Sequence, residues 1–305
     1  MADILEVKNV YKKYGKKEVI NDMSFSVKEG EIMGFLGPNG AGKTTVIKMI
    51  MGLINITKGE IKVCGYDVKT QFEKAAENFG GIIEEPAVYS ELSAKDNLKI
   101  FSKPYKNVTK KDIDEIIKTV KLDGREKEPV KNYSLGMKQR IGIAQALIHK
   151  PKLLILDEPT NGLDPQGIIE LRNILKEYAK KGVSVLVSSH LLSEMEMMCD
   201  RVCIIDKGRL IEIKELNESN ITKKNTYIID TSDNEKAFKI LGNVTNDIKI
   251  KNNKIEAIVT KETLANLNKE IIKSEILLYT VEENKEKLED IYLKATEKKV
   301  GGKRG

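Results

Sequence analysis

Residues 37–44 constrain the fold of this chain more than any other part of its sequence. The segment reads Gly-Pro-Asn-Gly-Ala-Gly-Lys-Thr, follows the apolar run Ile32–Leu36 and precedes a helical run over residues 45–53. A glycine-rich loop that ends in Lys-Thr between a strand and a helix is the pattern of a P-loop, which belongs to α/β folds with a mainly parallel sheet. The alternative is a glycine turn that only connects a strand to a helix.

The residue types in this loop are suited to holding phosphate groups. Glycines let the backbone curl so that successive N–H groups point inward, and the following helix adds the positive end of its dipole. We expect Lys43 to reach the β- and γ-phosphates and Thr44 to offer its hydroxyl to Mg²⁺. The predicted phosphate-binding residues are Gly37, Pro38, Asn39, Gly40, Ala41, Gly42, Lys43, Thr44 and Thr45.

Two further apolar strands end in side chains that suit the same chemistry. The run Leu153–Leu156 is followed by Asp157 and Glu158, and a run over residues 183–187 is followed by Ser188, Ser189 and His190. In an open α/β sheet, ligands bind at the carboxyl ends of the strands. There Asp157 would order Mg²⁺ and its water, and Glu158 would polarise a water in line with the γ-phosphate. His190 would donate a hydrogen bond to that phosphate.

Each of these side chains also has a structural interpretation. Asp157 and Glu158 are in that case exposed turn carboxylates, and His190 is a structural histidine. The other histidine, His149, lies at the end of a predicted helix, where we expect it to act as a capping cation.

Composition sets the broad class of the chain. With 305 residues, 40% of them hydrophobic and 32% charged, the chain is long enough for a packed core, and neither disorder nor a collagen-like fold is expected. The apolar runs are far shorter than the ~18 residues of a membrane span, and the start does not resemble a secretory signal. Three cysteines and two histidines fit reduced thiols inside the cell better than disulfides or zinc. A net charge of +6 is weak support for nucleic acid.

The order of patterns predicts an α/β domain over residues 1–218 and a small α+β domain over residues 219–297. Strands are predicted at 5–7, 25–27, 32–36, 61–63, 153–156, 183–187, 202–205, 227–230, 254–259 and 276–281. A helical subdomain is expected at about 90–150, where Ile113, Ile116, Ile117 and Val120 are spaced for one buried face. We expect a linker over 214–224, a last helix with Leu288, Ile291, Tyr292 and Ala295 on one face, and a flexible basic tail over 298–305.

Taken in order along residues 4–210, these motifs resemble the ATP-binding subunit of an ABC transporter, a P-loop NTPase. Residues 134–140 resemble the family signature, and residues 161–164 resemble its D-loop. Tyr14 is placed like the aromatic residue that stacks on adenine, and His190 like the switch histidine. The resemblance implies catalytic roles for Glu158 and His190 and a D-loop role for Asp164. The implied metal ligands are Thr44, Asp157, directly or through water, and Glu84.

The signature region has a physical rationale of its own. Ser134 precedes a helical run, so its hydroxyl and the N–H groups of that helix start provide a second anion-binding end. The resemblance implies that two cassettes meet head to tail, with Ser134, Gly136 and Gln139 of one chain facing the ATP held by the other. The chain has one set of nucleotide motifs, so a homodimer or a paired ABC ATPase is expected. The alternative is a serine that caps an ordinary helix.

Two positions depart from the usual family pattern. Leu135 stands where most members have glycine, close to the expected position of the nucleotide, and Glu84 stands where most have the glutamine of the Q-loop. A carboxylate at 84 still suits Mg²⁺. Both departures resemble the branch that contains bacitracin- and lantibiotic-resistance exporters.

The resemblance implies an ATPase, with ATP and Mg²⁺ as cofactors, that drives separate transmembrane permease subunits from the cytoplasmic face of the membrane. Antimicrobial peptides or antibiotics are the expected substrates, and no nucleic acid is expected as a partner. The alternative is a non-transport ABC ATPase that acts on the ribosome or on nucleic acid. The basic tail is the only feature of the sequence that favours it. A P-loop kinase would leave the signature and His190 unexplained. The C-terminal domain has no residues at chemical spacing, which favours a regulatory or dimer-stabilising appendage.

Overall fold

The structure, a computed structural model, describes residues 2–216 and 224–284 together with Glu289 and Tyr292. These residues form two compact units, one containing 2–216 and Tyr292 and the other containing 224–284 and Glu289. The predicted tail over 298–305, most of the predicted last helix and the predicted domain boundary at 218/219 lie outside the described residues.

The first unit begins with a four-stranded antiparallel sheet. Its strands are β1 (Asp3–Tyr14), β2 (Lys17–Lys28), β4 (Lys58–Val63) and β5 (Tyr66–Asp67), in the order β2-β1-β4-β5. The predicted strands at 5–7, 25–27 and 61–63 are confirmed, but they do not join the parallel sheet as expected. Strand β1 pairs antiparallel with both β2 and β4. A tight turn at Gly15 returns the chain directly beside β1 and forms the pairing with β2.

A six-stranded, mainly parallel sheet forms the centre of the first unit. Its strands are β3 (Ile32–Leu36), β6 (Phe79–Ile82), β7 (Leu153–Leu156), β8 (Ser184–Ser189), β9 (Arg201–Asp206) and β10 (Arg209–Glu215). The order is β10-β9-β3-β8-β7-β6, and only β10 runs antiparallel to its neighbour. The carboxyl ends of β3, β7 and β8 therefore lie side by side at one edge, which brings the loops that follow them together.

Seven α-helices whose bounds are fully described belong to the first unit, besides a short 3-10 helix at Val130–Asn132. They are α1 (Lys43–Ile50), α2 (Phe72–Ala76), α3 (Ala94–Ser102), α4 (Lys110–Thr119), α5 (Leu135–Leu147), α6 (Pro165–Lys180) and α7 (Leu192–Met198). Helix α4 begins with a capping box between Thr109 and Asp112, and its buried face is the predicted one, with Ile113, Ile116 and Ile117 inside. None of the helices in the described part of the chain combines the length and apolarity that a membrane span requires.

The second unit has the element order βαββαβ. It consists of β11 (Asn225–Thr231), α8 (Asn234–Leu241), β12 (Ile248–Lys251), β13 (Lys254–Val259), α9 (Lys261–Lys273) and β14 (Leu278–Glu283). Its sheet has the order β12-β13-β11-β14 with all neighbours antiparallel, which is the ferredoxin-like arrangement. Side chains from the sheet and both helices fill one core, including Ile229, Leu241 and Ile271.

Three details differ from expectation or refine it. Strand β10 continues to Glu215, so the predicted linker cannot begin at Lys214. His149 is not a capping cation: its ring stacks on Tyr105 with centroids 4.4 Å apart, and its Nε2–H donates to the Phe79 carbonyl at 3.1 Å. Burial lowers the pKa of His149, because a charged imidazole would lose its hydration, and the carbonyl contact opposes this shift. The three cysteines form no disulfide, as expected.

Candidate nucleotide and catalytic site

The predicted phosphate loop connects β3 to α1 at the carboxyl edge of the central sheet. Gly42, directly before α1, has φ of 107°, and a Cβ there would lie 2.6 Å from Cδ1 of Ile20, so only glycine fits. The first N–H groups of α1 have no partners within the helix, and the first turn carries no acidic residue. The loop therefore has the free N–H groups and the helix dipole that an anion cradle requires, and phosphate binding at these residues stays a prediction.

Lys43 lies inside this cradle rather than on the surface. Only 5% of the residue is exposed, and Nζ donates to the Gly37 carbonyl at 2.7 Å. The same ammonium lies 3.0 Å from Oε1 of Glu158. A lysine that is this buried must have its charge matched, and Glu158 provides the match.

Asp157 connects the cradle to two strand ends. The residue is 2% exposed; Oδ2 accepts from the Thr44 hydroxyl at 2.7 Å, and Oδ1 accepts from the Ser188 hydroxyl at 2.6 Å. The Ser188 hydroxyl in turn accepts from the Glu158 backbone N–H at 2.9 Å. Ser188 thus fixes both carboxylate residues, a role that the sequence analysis missed. The signal available was its position two residues before His190 at the end of a buried strand.

Glu158 has a left-handed backbone conformation, which residues with side chains rarely adopt. Its φ is 49°, an uncommon value for a residue with a side chain, and it arises where β7 ends and the chain turns. Its Oε2 lies 2.8 Å from Nδ1 of His190. An ionised carboxylate can only accept hydrogen bonds, so Nδ1 is the protonated ring nitrogen in this contact. The two oxygens of Glu158 are held by different partners, Lys43 and His190.

The donor set beside the cradle fits Mg²⁺. A hydroxyl from Thr44 and a carboxylate from Asp157 are hard oxygen ligands, and they already lie in contact. In residues 2–216 and 224–284, no cluster of three or more His, Cys, Asp or Glu side chains is arranged to hold a metal. Mg²⁺ in general takes one or two protein oxygens and completes its shell with phosphate and water.

Glu84, the third predicted metal ligand, has a different partner in the structure. Its exposed carboxylate pairs with Lys48 of α1 at 3.1 Å, and its φ is 63°. The reason is positional, because Lys48 lies one helical turn beyond Thr44. The contact pairs Glu84 with α1 instead of with Thr44 and Asp157.

The signature segment caps a helix, and its unusual leucine lies against its own chain. Ser134 is the N-cap of α5 and accepts from the Met137 N–H at 3.3 Å. Leu135 is 48% exposed, and its Cδ2 lies 2.7 Å from the place where a Cβ on Gly162 would be. The Leu135 side chain therefore covers Gly162 of the same chain. It occupies the space that a side chain at position 162 would otherwise fill.

Gln139, predicted to face a second chain, is buried within its own chain. Only 7% of the residue is exposed, because it shares the inner face of α5 with Gly142 and Ile143. Gly136 lies near the D-loop, since Cδ2 of Leu163 would be 3.9 Å from a Cβ there. Asp164 ends the D-loop as the N-cap of α6, where its carboxylate accepts from the Gly167 N–H at 2.8 Å.

The structure therefore divides the predicted residues into a connected cluster and separate positions. A chain of contacts joins Lys43, Thr44, Asp157, Glu158 and His190, with Ser188 added. Tyr14, at the end of β1, is half exposed and takes no part in these contacts, and the same holds for Ser134 and Asp164 in the described structure.

Comparison with known proteins identifies the family. The sequence model for ABC transporters matches residues 20–161. The chain is similar to an uncharacterised ABC transporter ATP-binding protein, YhcH, of Bacillus subtilis (44% identical, 97% of each chain), and to the bacitracin transport ATP-binding protein BcrA of Enterococcus faecalis (36% identical, 96% of each). Its fold is similar to a solved ATP-binding subunit of an ABC transporter, with 33% identity and a TM-score of 0.64 over 70% of this chain and 90% of that one. This chain belongs to the family of ABC transporter ATP-binding proteins.

Proposed function

We propose that this chain is the ATP-hydrolysing subunit of an exporter of antimicrobial peptides, and that it drives a separate membrane permease. The observation that carries the catalytic part is the placement of Glu158 between Lys43 and His190, beside the Asp157 and Thr44 pair. A base, a phosphate-binding lysine and a metal-binding pair meet at one sheet edge. This combination supports phosphoryl transfer to water.

Each residue has a defined task in this mechanism. The N–H groups at the start of α1 and the Lys43 ammonium bind the β- and γ-phosphates of ATP. Thr44 and Asp157 would hold Mg²⁺, which neutralises phosphate charge when bound. Glu158 orients the attacking water and accepts its proton, while His190 keeps the carboxylate in position and donates toward the γ-phosphate.

The Lys43 to Glu158 contact sets the order of events. The single ammonium of Lys43 lies 3.0 Å from the carboxylate of Glu158. Phosphate oxygens compete for the same ammonium, so ATP binding weakens its hold on Glu158. The carboxylate then becomes available to a water molecule only when a nucleotide is bound.

We further propose that two chains share each ATP. The N-terminus of α5 presents unpaired N–H groups and the Ser134 hydroxyl, which suit a second set of phosphate contacts. Ser134 is separate from its own catalytic cluster, so another copy of the chain, or a related ATPase, supplies the complementary site. Asp164, in the D-loop that follows Glu158, then lies beside that interface.

We propose that the residues that follow β6, including Glu84, couple the chain to the permease. Glu84 is exposed, has an uncommon backbone conformation and contacts α1 through Lys48. A movement of α1 on ATP binding would therefore reach the surface at Glu84. As a ligand for Mg²⁺, Glu84 would have to exchange its contact with Lys48 for the ion.

The substrate class follows from similarity over the full chain. BcrA of Enterococcus faecalis, a bacitracin transport ATP-binding protein, matches 96% of this chain, so the similarity includes the second unit. Similarity that extends past the ATPase unit favours the same kind of exporter. We propose that the chain, as the ATPase subunit of such an exporter, is held at the cytoplasmic face of the membrane by its contact with the permease.

Gene deletion in the source organism tests the proposal. We expect lower resistance to a bacitracin-type or lantibiotic-type peptide, restored by the wild-type chain and not by Glu158→Gln, with the chain co-purifying with a multi-span membrane protein. Unchanged resistance together with co-purification of ribosomes or nucleic acid would overturn the transport assignment in favour of a non-transport ATPase.

A further inference from the structure

One face of the Tyr14 ring is covered by a cation. Lys12 and Tyr14 are two residues apart on β1, so their side chains leave the strand on the same side. Nζ of Lys12 lies 4.7 Å from the centroid of the Tyr14 ring, within the range of a cation–π interaction. The Tyr14 residue is 51% exposed. A planar base can therefore stack only on the face that Lys12 leaves open.

The ammonium over the ring is anchored to a different part of the unit. Nζ of Lys12 donates to the Asn55 carbonyl at 2.6 Å. Asn55 lies just past α1, whose C-cap is Met51. Two backbone contacts accompany this bond: the Thr57 N–H donates to the Tyr11 carbonyl at 2.8 Å, and the Lys13 N–H donates to the Thr57 hydroxyl at 3.0 Å.

These contacts link the ring to the phosphate cradle. Helix α1 begins at the cradle, and the segment that leaves its other end holds the ammonium of Lys12. The Lys12 ammonium, and the Tyr14 ring beneath it, are therefore tied to the segment that leaves the helix of the proposed phosphate loop. A flexible lysine that bonds both a carbonyl and a ring face has lost most of its rotamer freedom before any nucleotide binds.

We propose that Lys12 is a positioning residue for the base of ATP: it orients the Tyr14 ring and restricts stacking to one face. This inference rests on the proposed nucleotide site and on the base-stacking position that the family resemblance gives Tyr14, and it deepens that proposal. Lys12 acts through Tyr14 and does not touch the phosphates. Because stacking contributes equally before and during hydrolysis, its loss raises KM and leaves kcat unchanged.

The test uses the full-length chain with three variants. In Lys12→Met, KM for ATP is expected to rise about three- to tenfold at constant kcat. A change of this size is what the loss of a partly exposed cation–π contact would produce. Inhibition by inorganic tripolyphosphate, which has no base, is expected to stay the same. Lys12→Arg keeps a cation and restores most of the affinity. Lys13→Met is the matched control, because Lys13 lies on the same strand but pairs with Glu18 at 3.1 Å.

Tyr14→Ala completes a double-mutant cycle. If Lys12 acts through the ring, Lys12→Met has no further effect on KM in the Tyr14→Ala background. Any of three results overturns the inference. KM for ATP is unchanged in Lys12→Met; or Lys12→Met weakens tripolyphosphate inhibition as much as it weakens ATP binding; or Lys12→Met raises KM by its full amount in the Tyr14→Ala background. When Tyr14→Ala still raises KM, such a failure leaves the proposed nucleotide site intact; when Tyr14→Ala has no effect, the assignment of Tyr14 fails as well.

Discussion

The carboxylate of Glu158 lies 3.0 Å from the ammonium of Lys43, and the lysine is almost fully buried. The proposed catalytic base and the proposed phosphate-binding lysine thus neutralise each other. Oε2 of the same carboxylate is held by His190 at 2.8 Å. Nucleotide binding and activation of water are linked through this one side chain.

Glu158→Gln is predicted to separate binding from hydrolysis. The amide keeps the shape of the side chain but cannot accept a proton, so turnover falls by at least about a hundredfold. Because the neutral amide pairs less strongly with Lys43, ATP affinity is expected to stay equal or to rise. Nucleotide titration and phosphate release measure the two effects, and multi-angle light scattering after gel filtration should show an ATP-bound dimer.

The matched control for this change is Glu177→Gln. Glu177 also pairs with a lysine, Lys181, at 2.6 Å, but on the exposed surface of α6. Its loss should leave ATP binding and turnover unchanged, since surface ion pairs contribute little. Normal turnover in Glu158→Gln would remove Glu158 from its proposed role.

Gly162→Ala is predicted to disturb the D-loop through Leu135. Gly162 has φ of 73°, and the added Cβ would meet Cδ2 of Leu135 at 2.7 Å. Gly182→Ala is the matched control, because Gly182 also has positive φ, 90°, but nothing lies within 4 Å of a Cβ there. Both changes should cost about 1 to 2 kcal/mol of unfolding free energy from backbone strain.

Only Gly162→Ala is expected to lower turnover as well, because the clash displaces the signature helix start or the D-loop. Leu135→Ala in the same chain removes the clash and should recover part of the lost activity. Equal stability and turnover in the two glycine variants would show that the contact between Leu135 and Gly162 has no functional consequence.

Much of this architecture follows from patterns that are local in the sequence. Strand β3, the phosphate loop and α1 are contiguous, and the runs before Asp157 and His190 are short, apolar and abruptly ended, so both the elements and their shared sheet edge are predictable. The amphipathic face of α4 is predictable for the same reason.

Contacts between distant segments are not contained in such patterns. The pairing of β1 with β4 joins residues about fifty positions apart. The Ser188 hydroxyl connects the Asp157 carboxylate to the Glu158 backbone N–H, about thirty residues away. The ion pair of Glu84 with Lys48 and the buried side of Gln139 depend on how helices are rotated against their neighbours. The helix period gives a face, but packing decides which polar residue lies inside it.

His149 is predicted to make the stability of the chain depend on pH. Burial lowers its pKa in the folded chain, and its Nδ1 is buried without a hydrogen-bond partner in the described structure. The unfolded chain takes up a proton near pH 6.5, whereas the folded chain resists it. The free energy of unfolding should therefore fall as the pH drops below about 6.5, with no contribution from His149 above that range.

His149→Phe tests this dependence because it keeps a ring against Tyr105 but cannot titrate. Urea unfolding at pH 7.5 and 5.5 should show a smaller loss of stability in this variant than in the wild type. An identical pH dependence in His149→Phe would contradict the prediction.

Ser134→Arg is predicted to block the pairing of two chains. The larger cation fills the space at the start of α5 where a second chain would approach, and the lost N-cap costs about 1 kcal/mol. Thr109→Arg is the control, since Thr109 caps α4 in the same way and is not part of the proposed interface. Only Ser134→Arg should abolish cooperative hydrolysis; cooperative turnover in that variant would argue against a shared site.

Site-directed cross-linking tests the central claim, that the phosphate loop of one chain and Ser134 of another enclose the same ATP. The background combines Glu158→Gln with Cys64→Ser; the remaining Cys199 and Cys203 are buried, which raises the pKa of both thiols and protects them. Asn39→Cys chains are mixed with Ser134→Cys chains and treated with a short bifunctional thiol reagent. We predict a covalent dimer only in the mixture and only with ATP. Absence of that dimer, with full turnover by monomers in the unmodified chain, would contradict the account.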